Sequence, residues 1–198
     1  MGGVGILGGT FDPPHLGHLA MAECASDALN LTQILFMPVG QPPHKAGEQI
    51  SSAAHRLEMT RLAVAGNERF KVDRRDIDRP PPHTTISLLP LLQAGHPDET
   101  LWLVIGADSL IDLPTWVAPR DVIQQCRLAV IPRPGFVPDM EALEAGIPGV
   151  SDAVSFIDAP AIGISSTDIR RRLGLGMSAR YLSPDEVLAY ALAHGLYC

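Results

Sequence analysis

The chain has 198 residues, which is enough to bury a hydrophobic core without disulfide bridges or a structural metal ion. Its composition, 46% hydrophobic and 19% charged, is that of a globular protein, and no uncharged apolar run is long enough to cross a membrane. The formal net charge of -7 argues against binding to a nucleic acid polymer, because such binding needs a broad basic surface.

The cysteines and the N-terminal sequence indicate the cellular compartment of the protein. Cys24, Cys126 and Cys198 are odd in number and widely spaced, which fits a reducing cytoplasm better than a disulfide-bonded scaffold. No basic region precedes the first apolar residues, so the N-terminus does not have the pattern of a signal peptide. We therefore expect a cytoplasmic protein.

The first eighteen residues contain a short strand followed by a glycine-rich turn. Val4-Gly5-Ile6-Leu7 is brief, branched and bounded by glycine, which is typical of a buried strand. Gly8-Gly9 follows, and Asp12 beside a proline is typical of a helix start, with Asp12 as its cap. In such a helix His15 and His18 would share one face near its positive end. Free backbone amides and two imidazoles then predict a site for an anion such as phosphate.

Three other interpretations of this stretch compete. Gly3-Val4-Gly5-Ile6-Leu7-Gly8 matches a dinucleotide-binding glycine pattern, but that pattern follows a strand, and only Met1 and Gly2 precede it here. The two histidines could hold zinc, although no cysteine or carboxylate stands nearby at ligand spacing. They could also simply satisfy hydrogen bonds around a tight turn.

The same stretch resembles a known signature. Gly8-Gly9-Thr10-Phe11-Asp12-Pro13-Pro14-His15-Leu16-Gly17-His18 is similar to the motif of nucleotidyltransferases that join a mononucleotide to the α-phosphate of ATP, above all the bacterial nicotinate-nucleotide adenylyltransferases. Phosphopantetheine adenylyltransferases usually have Thr where His15 stands. The resemblance implies catalytic roles for the two histidines. It also implies ATP-binding roles for Gly8, Gly9, Thr10 and Phe11.

Farther along, short apolar strands alternate with helical segments. The predicted strands cover 4–7, 34–37, 70–72, 101–105, 128–131 and 154–157, and the predicted helices cover 15–29, closed by Asn30, then 53–64 and 85–92. Residues 101–105 are the most apolar and should be central in the sheet. The pattern predicts an α/β fold: one Rossmann-like domain over residues 1–198, with a mostly parallel sheet of about six strands, helices on both faces and a helical portion over 166–198.

Loops after the strands carry the remaining candidates from this part of the chain. Pro42-Pro43-His44-Lys45 places a cation at the carboxyl edge of the predicted sheet, where open α/β sheets bind ligands, although the prolines could simply end the strand. The resemblance implies that Lys45 approaches the phosphates, and we assign His44 to the substrate. Residues 74–82 are charged and proline-rich, and we interpret them as an exposed linker. Arg133, in a basic turn after another strand, receives no role.

Two further segments match the family pattern. A threonine after His83 can cap the next helix, and the resemblance assigns Thr84 to the substrate, although His83 stands where the family has Tyr. Gly106 permits close approach and Asp108 can cap a short helix or accept from a ribose hydroxyl. Trp116 is by residue type more often a core residue. The resemblance implies that it faces the pyridine ring of nicotinate.

A second cluster begins a helix late in the chain. Ser165 and Asp168 form a predicted capping box, but cations in the first turns oppose the helix dipole unless an anion is bound. Ser166, Thr167 and Arg170 could together address one phosphate. Ile164-Ser165-Ser166-Thr167-Asp168-Ile169-Arg170 also resembles the second signature of the same family. We therefore expect Ser166 and Thr167 to bind ATP and Arg170 to act in catalysis.

The predicted activity is transfer of AMP from ATP to nicotinate mononucleotide, giving deamido-NAD and pyrophosphate. Mg²⁺ would be bound mainly through ATP phosphates, and we predict no metal site made by the protein. Alternatives are adenylation of nicotinamide mononucleotide or another phosphorylated acceptor, an ATP-sensing module, and a zinc protein. We expect no membrane or nucleic acid partner. The oligomeric state is left open, with a homodimer as one alternative.

Overall fold

In the computed structural model, residues 2–40, 50–160 and 162–197 are described, and they contain one six-stranded parallel sheet. The strands are β1 (Gly3–Gly9), β2 (Gln33–Pro38), β3 (Phe70–Val72), β4 (Thr100–Gly106), β5 (Arg127–Ile131) and β6 (Val154–Phe156). Their order in the sheet is β3-β2-β1-β4-β5-β6, with parallel pairing throughout. This confirms the Rossmann-like α/β fold and the central position of β4.

Helices connect the strands. They are α1 (Leu16–Leu29), α2 (Ala53–Val64), α3 (Arg75–Asp78), α4 (Thr85–Gly95), α5 (Ala107–Ile111), α6 (Pro119–Gln125), α7 (Met140–Gly146), α8 (Val150–Ala153), α9 (Ser166–Gly174) and α10 (Asp185–Ala193), with a 3₁₀ turn at Leu113–Thr115. Asn30 ends α1 in the left-handed conformation, as predicted. Within the described ranges, none of these helices combines the length and apolar character that crossing a membrane requires.

Alternating strand residues face two separate hydrophobic layers. Ile6, Leu35 and Leu103 pack in a cluster that also contains buried residues of α4 to α8. Leu7, Phe36 and Val104 pack on the other side, with Ala22 and Ala25 of α1 and Val64 of α2 in the same cluster. Helices therefore cover both faces of the sheet, as the sequence predicts.

The segment predicted as an exposed linker is partly helical and partly buried. Asp76, in α3, is only 3% exposed and accepts a hydrogen bond of 2.8 Å from the backbone N–H of Gly40. Its carboxylate also pairs with Arg79, at 2.6 Å from Nη2. Residues 74, 78 and 80–82 are exposed, as predicted, whereas Asp76 is buried, because paired charges let this polar segment anchor the end of β2.

Three predicted capping roles are also wrong. Asp12 lies too far before α1 to cap it: His15 is the N-cap, and the Asp12 carboxylate accepts instead from the Ser51 N–H at 3.1 Å and the Tyr197 hydroxyl at 2.5 Å. Asp108 lies inside α5 and pairs with Arg133. Thr84 precedes α4, but its hydroxyl meets Ser87 Oγ at 2.7 Å and caps no backbone amide. In the first two cases the carboxylate binds residues distant in the sequence instead of the backbone amides of the nearby helix.

The aromatic core under β2 can be tested by cavity formation. Phe36 is fully buried and its ring centroid lies 5.0 Å from that of Phe70 and 5.9 Å from that of Phe11. We expect Phe36→Ala to lower the free energy of unfolding by about 3–5 kcal/mol in urea titrations. The matched control is Val137→Ala, at a side chain 89% exposed, which should change it by less than about 0.5 kcal/mol. A loss below about 1 kcal/mol in Phe36→Ala would contradict this core.

Candidate active site

A cleft of about 330 Å³ opens at the carboxyl edge of the sheet, beside the point where β1 lies between β2 and β4. This is where the chain order of the strands changes direction, and such points are the usual ligand sites of open α/β sheets. Predicted site residues that line the cleft are Gly8, Thr10, Phe11, His15, His18, Gly106, Asp108, Ser166 and Thr167. The two signature segments therefore meet in one cavity.

The two imidazoles of the first signature are stacked. Their ring centroids lie 3.6 Å apart at an interplanar angle of 23°, and the Phe11 ring meets His18 edge-on at 4.9 Å. His18 Nδ1 accepts a hydrogen bond of 3.2 Å from the backbone N–H of His15. A neutral His18 ring therefore carries its proton on Nε2, which is a donor. His15 Nδ1 is buried and has no hydrogen-bond partner within the described residues.

Both histidines are electrically neutral at pH 7. Burial lowers the pKa of His15 to about 4, and the nearby positive charge of Arg133 adds to the effect. Burial also lowers the pKa of His18 well below its usual value, with further contributions from His15 and Arg133. The sequence predicts that these two imidazoles help to bind an anion. In this structure they are neutral donors, and the cation beside them is Arg133.

The loop that leads into α1 is held by side chains from distant segments through its backbone carbonyls. Arg56, only 2% exposed, donates to the Thr10 carbonyl at 3.0 Å, and Arg170 donates to the Asp12 carbonyl at 2.8 Å. Ser166 Oγ donates to the Pro13 carbonyl at 2.8 Å, and Ser183 Oγ donates to the Pro14 carbonyl at 2.6 Å. Four carbonyls in five residues thus accept from four side chains that belong to three segments of the chain: α2, α9 and the segment before α10.

The start of α9 combines a cap with cleft-lining hydroxyls. Ser165 caps the helix by accepting from the Asp168 N–H at 3.1 Å, as predicted. Arg171 pairs with Asp168, whereas Arg172 donates to the Ser178 carbonyl. Arg170 contacts Thr167 Oγ1 at 3.3 Å in addition to the Asp12 carbonyl. Its guanidinium therefore joins the two signatures.

Several predicted site residues do not line the cleft. Gly9 and Arg170 are not among the lining residues, and a Cβ added at Gly9 would meet the Phe11 ring at 3.0 Å. Thr84 and Trp116 lie elsewhere, and Trp116 packs against the hydrophobic cluster beneath α4 to α8. His44 and Lys45 fall outside the described residues. Proposed substrate roles for Thr84, Trp116 and His44 remain predictions.

Sequence reasoning missed three residues of this region. Arg133 lines the cleft and pairs with Asp108, and the signal available was a basic turn after a parallel strand. Arg56 and Tyr197 support the loop from behind. Neither has a local sequence signal, because a buried arginine on a helix and a tyrosine at the chain end are read from sequence as ordinary surface and packing residues.

The described residues show no protein-made metal centre. No group of three or more His, Cys, Asp or Glu side chains in these ranges could hold a metal ion. Asp108, the carboxylate that lines the cleft, is engaged by Arg133.

Comparison with known proteins gives the class of the chain. The family model described as cytidylyltransferase-like matches residues 6–172, which include both signature segments. The chain therefore belongs to the cytidylyltransferase-like family.

Curated relatives narrow this class. The probable nicotinate-nucleotide adenylyltransferase of Thermomicrobium roseum is 44% identical over 100% of this chain and 92% of its own length. That of Roseiflexus sp. is 45% identical over 98% of this chain and 97% of its own length. Within its class the chain belongs with the nicotinate-nucleotide adenylyltransferases, which are enzymes, and the resemblance of its two motifs is confirmed.

Solved structures agree on the fold. The nicotinic acid mononucleotide adenylyltransferase of Plasmodium falciparum complexed with NaAD is 19% identical and superimposes with a TM-score of 0.79, covering 100% of this chain and 98% of that one. The same protein complexed with APC gives a TM-score of 0.77 over the same coverage. At this identity the likeness shows the architecture alone.

The lowered pKa of His15 makes stability depend on pH. An unfolded histidine titrates near 6.5, so between 6.5 and about 4 the unfolded chain binds a proton that folded His15 refuses. The contribution of His15 to the free energy of unfolding is therefore fully present above pH 6.5. It is lost as the pH falls toward 4, by about 3 kcal/mol in total. We expect urea titrations of His15→Gln to show a shallower decline than the wild type over this window.

The comparison is made against a common baseline at pH 7.5, where both proteins should give a single cooperative transition. A variant whose stability falls as steeply as that of the wild type between pH 6.5 and pH 4 would contradict a buried, neutral His15.

Proposed function

We propose that this chain transfers the adenylyl group of ATP to nicotinate mononucleotide, forming deamido-NAD and pyrophosphate. The observation that supports this most directly is the convergence of Gly8, His15 and His18 with Ser166 and Thr167 in one cleft. Names of full-length relatives at 44% and 45% identity support the acceptor. The whole chain, residues 1–198, acts as one nucleotidyltransferase domain whose portion 166–198 supports the site.

The acceptor phosphate needs no general base, because its second ionisation lies near pH 6 and it is already a nucleophile at pH 7. One of its oxygens bonds to the α-phosphorus of ATP while the bond from that phosphorus to the bridging oxygen breaks, and pyrophosphate leaves. The protein's task is to hold two anions in line and to stabilise charge that builds on the leaving group.

Neutral imidazoles suit that task. The neutral His18 ring presents an Nε2–H donor to the cleft. The positive charge beside it comes from Arg133. Preorganised donors in a buried site stabilise developing charge more strongly than the same groups in water. Arg170 and Lys45 are proposed to add positive charge, Arg170 from its position between the two signatures.

Mg²⁺ enters this proposal as part of the substrate, MgATP. The cleft-lining carboxylate Asp108 is already paired with Arg133, so the phosphate oxygens of ATP are the natural ligands, with water completing the shell. A cytoplasmic location is proposed with it, supported by Cys24 and Cys126, which are both free thiols.

The catalytic role of His18 predicts a split between turnover and binding. We expect His18→Ala to lower kcat by about a hundredfold or more, because it removes a donor used where charge develops, while the Kd for MgATP changes far less. Pyrophosphate release and isothermal titration calorimetry measure the two quantities. The control is His96→Ala, at the C-terminal end of α4 outside the cleft, which should keep wild-type turnover. Near-normal kcat in His18→Ala would refute the assignment.

The acceptor is tested by competition. Purified protein is incubated with MgATP and an equimolar mixture of nicotinate and nicotinamide mononucleotides, and the dinucleotide products are separated and quantified. We expect deamido-NAD to dominate. A preference for NAD would favour the amide acceptor, and ATP binding without any pyrophosphate release would favour a sensing module.

A further inference from the structure

Tyr197, close to the C-terminal end, makes a contact that the signatures do not explain. Its hydroxyl donates to Asp12 Oδ1 at 2.5 Å and lies 3.7 Å from Met59 Sδ. Burial raises the pKa of Tyr197, and the Asp12 carboxylate adds to the shift, so the hydroxyl keeps its proton and remains the donor. Asp12 itself is 1% exposed, and its other oxygen accepts from the Ser51 N–H.

The residue that Asp12 adjoins is held in an unfavourable conformation. Phe11 has a φ of 50°, in the left-handed region, which costs a bulky residue about 1–3 kcal/mol unless its surroundings enforce it. Hydrogen bonds to the residues on either side of Phe11 hold this conformation: Arg56 donates to the Thr10 carbonyl, and Arg170 donates to the Asp12 carbonyl. In this conformation the Phe11 ring meets the imidazole of His18 edge-on at 4.9 Å.

Positive charge makes the buried Asp12 carboxylate tolerable. Arg56 is 2% exposed and lies close enough for Asp12 to oppose the effect of burial on the pKa of Arg56. The Arg56 guanidinium donates its hydrogen bonds to backbone carbonyls and none to Asp12; the acceptors are the carbonyls of Thr10, Val39, Gly40 and Ser51. Among the described residues, the side-chain donor to the carboxylate is therefore the Tyr197 hydroxyl.

We propose that Tyr197 is a positioning residue for turnover, whose hydroxyl holds Asp12 and thereby the Phe11 turn that supports the His18 ring. This proposal rests on the proposed adenylyl transfer. It makes Tyr197, which lies 185 residues after Asp12 in the sequence, part of the support of the active site. The role is indirect, because Tyr197 is not among the residues that line the cleft.

The test is a double-mutant cycle on turnover, with Tyr197→Phe, Asp12→Asn and the double variant. We expect Tyr197→Phe to lower kcat about tenfold, with both KM values within about twofold, because the ground-state contacts of the cleft-lining residues remain. The double variant should be no slower than Asp12→Asn alone, since the hydroxyl acts only through that carboxylate. The matched control is Tyr181→Phe, at an exposed ring beside Arg180, which should keep the wild-type kcat.

A second readout does not depend on activity. The NMR signal of the His18 ring Cε1–H should move in Tyr197→Phe, whereas that of His96 should not. Unchanged kcat in Tyr197→Phe, multiplicative losses in the double variant, an unmoved His18 signal, or loss of folding in Tyr197→Phe and Asp12→Asn would each overturn the proposal. Failure of the wild type to release pyrophosphate would instead refute the proposed function, and the His18 signal would still decide the positioning role.

Discussion

The structure depends on one constraint: the backbone carbonyls of Thr10, Asp12, Pro13 and Pro14 take their hydrogen bonds from side chains outside their own segment. Two prolines, Pro13 and Pro14, occupy this loop and lack an amide hydrogen, so neither can donate a backbone hydrogen bond. Side chains from α2, α9 and the segment before α10 supply the donors. Those bonds bring the second signature to the first and close the cleft between them.

This arrangement explains how a late segment of the chain comes to complete a site that begins at β1. Ser166 has a structural role and a place in the cleft: its hydroxyl donates to the Pro13 carbonyl, and the residue also lines the cleft. Arg170 likewise connects Asp12 with Thr167. Structural support and ligand recognition are therefore carried by neighbouring residues of one helix start, where amides, hydroxyls and a guanidinium lie together.

Electrostatics in the cleft follow from burial and from one arginine. Stacked imidazoles 3.6 Å apart cannot both hold a proton cheaply, and Arg133 adds a third positive centre. The site thus keeps its histidines neutral and leaves the fixed charge to guanidinium groups. Negative charge on an anionic substrate opposes the effect of Arg133 on the two histidines and is stabilised by the N–H donors of the cleft.

The sequence by itself determined the order of strands and helices, the six-stranded α/β fold and the two signature segments, because these depend on local periodicity and on spacing within one segment. His15, His18, Ser166 and Thr167 were found in this way. Only the tertiary structure decided that Asp12 is a buried acceptor, that Arg133 enters the cleft and that Arg56 and Tyr197 support it. Those roles come from hydrogen bonds between residues as far apart as 12 and 197, and the folded chain alone brings such partners within reach.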